Sequence, residues 1–246
     1  NGLLMWMSQS SWPSFMWQTY DYYLDTNGGY FGTKAGNQPT QPVWDPRNDN
    51  ITLCNFTTRP YTDVTTTLTV YDLNGGVVAA ETYNTPSLAS NAYGVRLDTI
   101  TAKLAESPTD MVFIKLVLKD SRGEVLGENI YWHNKTTYLA NQALTTLADA
   151  DLTASVLGQR VLENGNVEYT ITVKNDTAVP AVQTRIRTIS EVTGEDVLPA
   201  FYSDNYFTLM PGDTKVVTVE FNPKYLEGGG NRFTLSGWNT VAETVA

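Results

Sequence analysis

The sequence is poor in the residues that most enzyme chemistries use. Of 246 residues one is cysteine, Cys54, and one is histidine, His133. A single thiol excludes an internal disulfide framework and every multi-cysteine metal site, and a single imidazole excludes zinc and iron centres built on two histidines. No metal site and no cofactor is expected. Positive charge is also scarce: 16 Lys and Arg against 26 Asp and Glu leave a net charge of −10, which repels phosphate backbones and argues against a nucleic-acid partner. No apolar run approaches a membrane span, so no membrane partner is expected. The chain opens Asn1-Gly2-Leu3-Leu4 without Met or a basic leader, and reads as a piece of a longer polypeptide whose location it leaves open.

What is present divides the chain. Residues 1–44 hold ten of the 28 aromatics and four of the six tryptophans. Leu3 to Met7 is apolar throughout, as in a strand covered on both faces. The following stretch predicts an amphipathic helix, with Ser11 as cap, Pro13 in the first turn, an apolar stripe of Trp12, Phe15, Met16, Thr19, Tyr20, Tyr23 and Leu24, and Asn27-Gly28-Gly29 as the stop. One strand and one helix cannot bury each other, so the unit reads as a remnant of a parallel α/β domain. Residues 30–48, with Pro39, Pro42 and Pro46, read as an extended connector held by Tyr30 and Trp44.

From residue 49 onward threonine (34 in the whole chain) and alternating segments point to sheet. Strands are predicted at 50–56, 64–72, 77–83, 92–97, 111–119 and 124–132, with turns at Asn74-Gly75-Gly76 and Ser121-Arg122-Gly123. A second set is predicted at 151–161, 166–175, 182–190, 205–209, 214–221 and 231–240. The fold class is therefore mainly β, with two immunoglobulin-like β-sandwiches preceded by a strand-helix remnant. The expected divisions are 1–48 (remnant and connector), 49–135 (sandwich), 136–146 (linker) and 147–246 (sandwich). The Asn-x-Thr triplets at Asn55, Asn134 and Asn175 fit the glycosylation pattern, which a threonine-rich chain also generates by chance.

Glycoside hydrolysis needs two carboxyls facing each other across a sugar. Asp21 and Asp25 would share a solvated helix face, and Asp204 reads as a loop anchor. Cys54 sits in an apolar alternation as a core residue, and His133 ends a strand with a structural role. No catalytic residue is assigned. Trp6 is different: at the C-terminal edge of the first strand its indole offers a flat face for a pyranose, and Gln9 and Ser10 in the next loop offer hydrogen bonds to its hydroxyls.

The run from Trp6 through Trp12-Pro13-Ser14, Trp17, Tyr20-Asp21-Tyr22-Tyr23 to Gly28-Gly29-Tyr30-Phe31-Gly32-Thr33-Lys34-Ala35 resembles the end of the catalytic (β/α)8 barrel in glycoside hydrolase family 2, in the branch of exo-β-D-glucosaminidases and β-mannosidases. Val70-Tyr71-Asp72 and Ser203-Asp204-Asn205-Tyr206-Phe207 echo the two immunoglobulin-like domains that follow the barrel in that family. The resemblance implies that Trp6 floors the subsite for the terminal sugar and that Trp12 belongs to the loop opening toward it. It also implies that the acid/base and nucleophile carboxylates precede Asn1. The parent would be a secreted or periplasmic retaining exo-glycosidase acting on an oligosaccharide or polysaccharide, with glucosamine, mannose or galactose as the terminal sugar, and this chain alone would be inactive.

A carbohydrate-binding module, favoured by a line of exposed aromatics on one sheet, and a structural spacer are the alternatives. Deprived of a barrel, the aromatic N-terminal segment is expected to dock on the first sandwich, helped by self-association.

Overall fold

The computed structural model describes residues 4–14 and 18–245, and of 138–140 only the backbone. The fold class is the expected one: two immunoglobulin-like sandwiches follow an N-terminal region that carries one helix. The chain forms two compact units, one of Lys34–Leu147 and one of Ala148–Ala246 joined by the segment ending at Thr33.

Within the N-terminal region the elements lie elsewhere than the periodicity places them. Among the described residues, 4–14 and 18–27 contain neither strand nor helix, and Leu3, Phe15, Met16 and Trp17 lie outside the description. The helix is α1, Gly28–Gly36. Asn27, read as a stop, begins it: its Oδ1 accepts the Tyr30 N–H at 3.1 Å and its carbonyl accepts the N–H groups of Tyr30 and Phe31. An Asn before Gly-Gly closes one helix or caps the next with the same chemistry, and here the cap wins. Tyr20, Tyr23 and Leu24 instead belong to a tight loop. Tyr20 bridges Thr26, Asp21 Oδ1 accepts the N–H groups of Tyr23 and Asp25, and Leu24 takes a φ of 71°.

In the Lys34–Leu147 unit the strands are β1 (Thr40–Asp45), β2 (Asn50–Asn55), β3 (Tyr61–Asp72), β4 (Val77–Leu88), β5 (Ala92–Thr99), β6 (Met111–Lys119) and β7 (Val125–Asn134). They form two antiparallel sheets, in the orders β1-β2-β5 and β4-β3-β6-β7. Alternation puts Val64, Leu68 and Val70 of β3 inside and Thr65, Thr67 and Thr69 outside. These inner residues join Trp44, Ile51, Val112, Ile114 and Leu116 in the core. The helix α2 (Thr101–Ala105) adds Leu104 to it. The turn after β3 is fixed by Asp72, whose Oδ1 accepts the N–H groups of Asn74 and Gly76 at 2.8 and 2.9 Å.

Strand β1 corrects the connector reading. Proline is tolerated in a sheet at an edge, and β1 is an edge strand in which Pro42 faces Leu53 of β2. Residues 136–146, read as a linker, hold a 3-10 helix at Tyr138–Thr146.

The second unit contains β8 (Leu152–Val161), β9 (Val167–Asn175), β10 (Ala181–Ser190), β11 (Ala200–Tyr202), β12 (Phe207–Leu209), β13 (Thr214–Phe221), β14 (Asn231–Ser236) and β15 (Glu243–Thr244). Its sheets run β11-β13-β9-β8 and β12-β10-β14-β15, and their inner faces bury Ile171, Val173, Ile186, Val217, Val219, Phe221, Phe233 and Leu235. The N-terminal segment through Thr33 belongs to this unit, where the sequence placed it with the first sandwich. A charged contact explains the choice: Asp25 meets Arg185 of β10 at 2.6 Å, and Arg185 lies over the ring of Tyr206.

Candidate functional site

The N-terminal segment is built on a few polar anchors. The Ser8 carbonyl accepts from the Thr19 and Tyr20 N–H groups at 3.2 and 3.3 Å, and Asn27 Nδ2 donates to the Gln18 carbonyl. Phe31 of α1 packs on Tyr206 with ring centroids 6.1 Å apart. On this frame Trp6 and Trp12 stand 78% and 68% exposed, each with an indole free to meet a ligand or another surface. Gln9 is exposed beside them. Ser10 is not available in the same way: it is buried, and its hydroxyl accepts from Gln18 Nε2 at 2.5 Å and meets Ser14 Oγ at 2.7 Å. Ser10 thus positions the loop that carries its neighbours.

The carboxylates named by the sequence are occupied. Asp21 closes a turn, and Asp204 accepts from the Asn205 N–H at 2.8 Å and pairs with Lys215 at 2.7 Å. Asp25 lies in a cleft of about 400 Å³ with Asp21, Tyr23, Glu195 and Asp196. Burial raises its pKa and the Arg185 guanidinium opposes the rise. Asp196 is held in turn by Arg187, whose Nε and Nη2 donate to its two oxygens. Four acidic groups meet here, yet the two arginines hold the inner pair, and the cluster serves to fasten the N-terminal segment to β10. No group of three or more metal-ligating side chains is found among the described residues.

Cys54 is half-buried, and His133 packs edge-on against Trp44 with ring centroids 4.8 Å apart. Burial pushes the imidazole pKa down. Sequence reasoning missed a second cleft, of about 720 Å³, on the outer face of β1-β2-β5, where Phe56 and Tyr93 are 57% and 80% exposed. Phe56 shares parity with Thr52 and Cys54, so the pattern of β2 held half the signal; Tyr93 joins it only through the pairing of β2 with β5.

Residues 49–138 match the profile of the mannosidase Ig/CBM-like domain, and residues 129–240 that of the exo-β-D-glucosaminidase Ig-fold domain. The exo-β-D-glucosaminidase of Amycolatopsis orientalis is 30% identical over an alignment covering 99% of this chain and 25% of that protein. That of Hypocrea jecorina is 29% identical over 99% of this chain and 29% of its own length. The crystal structure of the Amycolatopsis orientalis exo-chitosanase superposes with a TM-score of 0.87 at 27% identity, covering 99% of this chain and 30% of that one. The chain therefore spans between a quarter and a third of the length of the relatives it matches, and its two sandwiches are homologous to the immunoglobulin-fold domains of exo-β-D-glucosaminidases and mannosidases.

Proposed function

We propose that this chain is the C-terminal, non-catalytic portion of a retaining exo-β-glycosidase of glycoside hydrolase family 2, which removes terminal β-linked sugars, with β-glucosaminides favoured over mannosides and galactosides. The observation that carries the reading is the alignment of 99% of the chain, N-terminal segment included, with exo-β-D-glucosaminidases of much greater length. The occupied state of Asp21, Asp25 and Asp204 supports it, since none is left as a free acid or nucleophile.

In the parent, one carboxylic acid protonates the glycosidic oxygen while a carboxylate attacks the anomeric carbon, and water then releases the covalent intermediate with retention. Both groups lie upstream. This chain contributes the exposed faces of Trp6 and Trp12 and the amide of Gln9 as one wall of the terminal subsite, on a loop held by Ser10 and Gln18. A polymeric substrate outside the cell makes the parent secreted or periplasmic. Released from a barrel, Leu4, Trp6 and Trp12 form an apolar surface through which the isolated chain self-associates, which light scattering checks.

The test compares the 246 residues alone with the same residues joined to the upstream coding sequence, on aryl β-D-glucosaminide, mannoside and galactoside. Only the joined protein should turn over, and Trp6→Ala in it should lower kcat/KM by about tenfold or more, the loss of roughly 1.4 kcal/mol of stacking. Turnover by the isolated chain that disappears with Asp21→Asn overturns the proposal.

A further inference from the structure

We infer that the outer face of the first sandwich carries a second saccharide-binding site, in the cleft over β1-β2-β5, which takes a short β-linked oligosaccharide. The inference goes beyond the glycosidase reading and rests on it only for the class of ligand. The cleft, of about 720 Å³, falls within the range of small-ligand sites, roughly 300–1,000 Å³.

Its two ends differ in chemistry. At one end stand the rings of Phe56 and Tyr93, the second 80% exposed on β5, whose other large apolar residues, Val95 and Leu97, pack against the core. No folding advantage accompanies an aromatic ring left in water, and a pyranose covers such a ring with its C–H face. Gly94, at a φ of 67°, follows Tyr93 in the irregular register between β2 and β5 and turns the strand there. At the other end Asp45 and Arg47 form a two-pronged pair, with Arg47 Nε and Nη2 donating to the two carboxylate oxygens at 2.9 and 2.8 Å. Two of the five guanidinium N–H donors are used in that pair, and the side chain is 86% exposed, so a planar fork remains for sugar hydroxyls. The same contacts hold the Asp45 carboxyl down at about 2, so it stays an acceptor at any working pH.

Between the ends the floor is Val43, Thr52 and Cys54, small enough to leave the trough open. From Asn50 to Phe56 the trough spans six residue steps, about 20 Å at the usual strand rise, a length for several sugar rings and not one. An open trough with rings at one end and a charged fork at the other suits a chain of sugars with alternating apolar and hydroxyl faces. Strands β2 and β5 of this sheet also lie within the region matching the mannosidase Ig/CBM-like domain, while β1 precedes it. In the parent, such a site would hold the polymer near the barrel while terminal residues are removed one at a time.

The full 246-residue chain is titrated calorimetrically with tetramers of β-linked glucosamine, mannose and glucose. At least one should bind, and Tyr93→Ala and Phe56→Ala should each weaken that binding tenfold or more with the melting temperature unchanged, while Trp6→Ala leaves it as it was. Cys54, the only thiol, reports independently: saturating tetramer should slow its alkylation several-fold. Absence of binding by all three tetramers, or binding lost in Trp6→Ala but retained in Tyr93→Ala, overturns this site while leaving the glycosidase reading to its own activity test.

Discussion

Asn55 and Asn175 close β2 and β9 with one and the same device, one in each sandwich. Asn55 Nδ2 donates to the carbonyls of Arg59 and Ala89 at 2.8 and 2.9 Å, and Asn175 Nδ2 to those of Val179 and Leu209 at 2.8 and 2.9 Å. Each Oδ1 accepts the backbone N–H and the hydroxyl of the threonine two residues on, Thr57 or Thr177. Both asparagines have zero exposure and both Nδ2 hydrogens are spent, so these two Asn-x-Thr triplets are loop clamps and cannot carry a glycan. Asn175→Ala takes the amide donor from both carbonyls, Val179 keeping the Thr177 hydroxyl at 3.2 Å, and should cost on the order of 1–3 kcal/mol; Asn175→Asp, which has no N–H to give, should lose a similar amount. Urea unfolding measures both. Thr66 carries the opposite sign. It is fully buried on the inner face of β3 and its Oγ1 has no hydrogen-bond partner, so Thr66→Val should be neutral or raise stability by up to about 1 kcal/mol in the same experiment.

At the scale of elements, β1 and β7 approach each other at Gly127, where a Cβ would overlap the Thr40 carbonyl and come within 2.9 Å of Gln41 Cα. Neither neighbour is a side chain that can swing away. Gly127→Ala should therefore destabilise the first sandwich by about 1–3 kcal/mol or more, and a chain with its urea midpoint unchanged would show that β1 yields. His133 of β7 gives the same contact a pH dependence. Burial holds its pKa below the ordinary 6.5 despite Asp49, so the unfolded chain takes up the proton first as pH falls. Stability is full above about 6.5 and declines as pH drops from there toward the folded value. In His133→Gln the urea midpoint should stay flat between about pH 7 and 5, where the wild type slopes. Strands such as β6 and β13 were legible in the sequence at both ends because alternation, turn residues and burial agree there. Strand β1 was not, because Pro42 argues against a strand until its edge position is known, and α1 was displaced because the spacing of Trp12, Tyr20 and Tyr23 imitates a helix while Asp21 and Asn27 spend their side chains on loop N–H groups. The sequence singled out Trp6 as a flat face but placed Trp12 on the apolar stripe of a helix, whereas both indoles are exposed; the cleft at Phe56 and Tyr93 required strand pairing that no local pattern encodes.

At the scale of the whole molecule, the aromatic N-terminal segment belongs to the second sandwich although it precedes the first in sequence. Hydrophobicity alone would let it settle on any apolar face; the directional contacts decide. Asp25 meets Arg185 at 2.6 Å, Arg185 lies 5.4 Å from the centroid of Tyr206, and Phe31, only 4% exposed, packs on that same tyrosine. Removing the segment strips Arg185 of its carboxylate and uncovers Tyr206, whereas the core formed by β3 and β6 belongs to the other unit. A chain beginning at Lys34 should therefore fold both sandwiches but hold the second less firmly. Backbone amides of β10, which exchange through openings of their own unit, should exchange about tenfold faster or more, a loss of roughly 1.4 kcal/mol, while those of β3 and β6 keep their protection. Asp25→Asn in the full chain should reproduce part of the change, since it removes the charge but keeps the loop. Equal protection of β10 with and without the segment would mean that Asp25 and Phe31 merely rest on the sandwich, and faster exchange in β3 would mean that the segment supports the first sandwich after all.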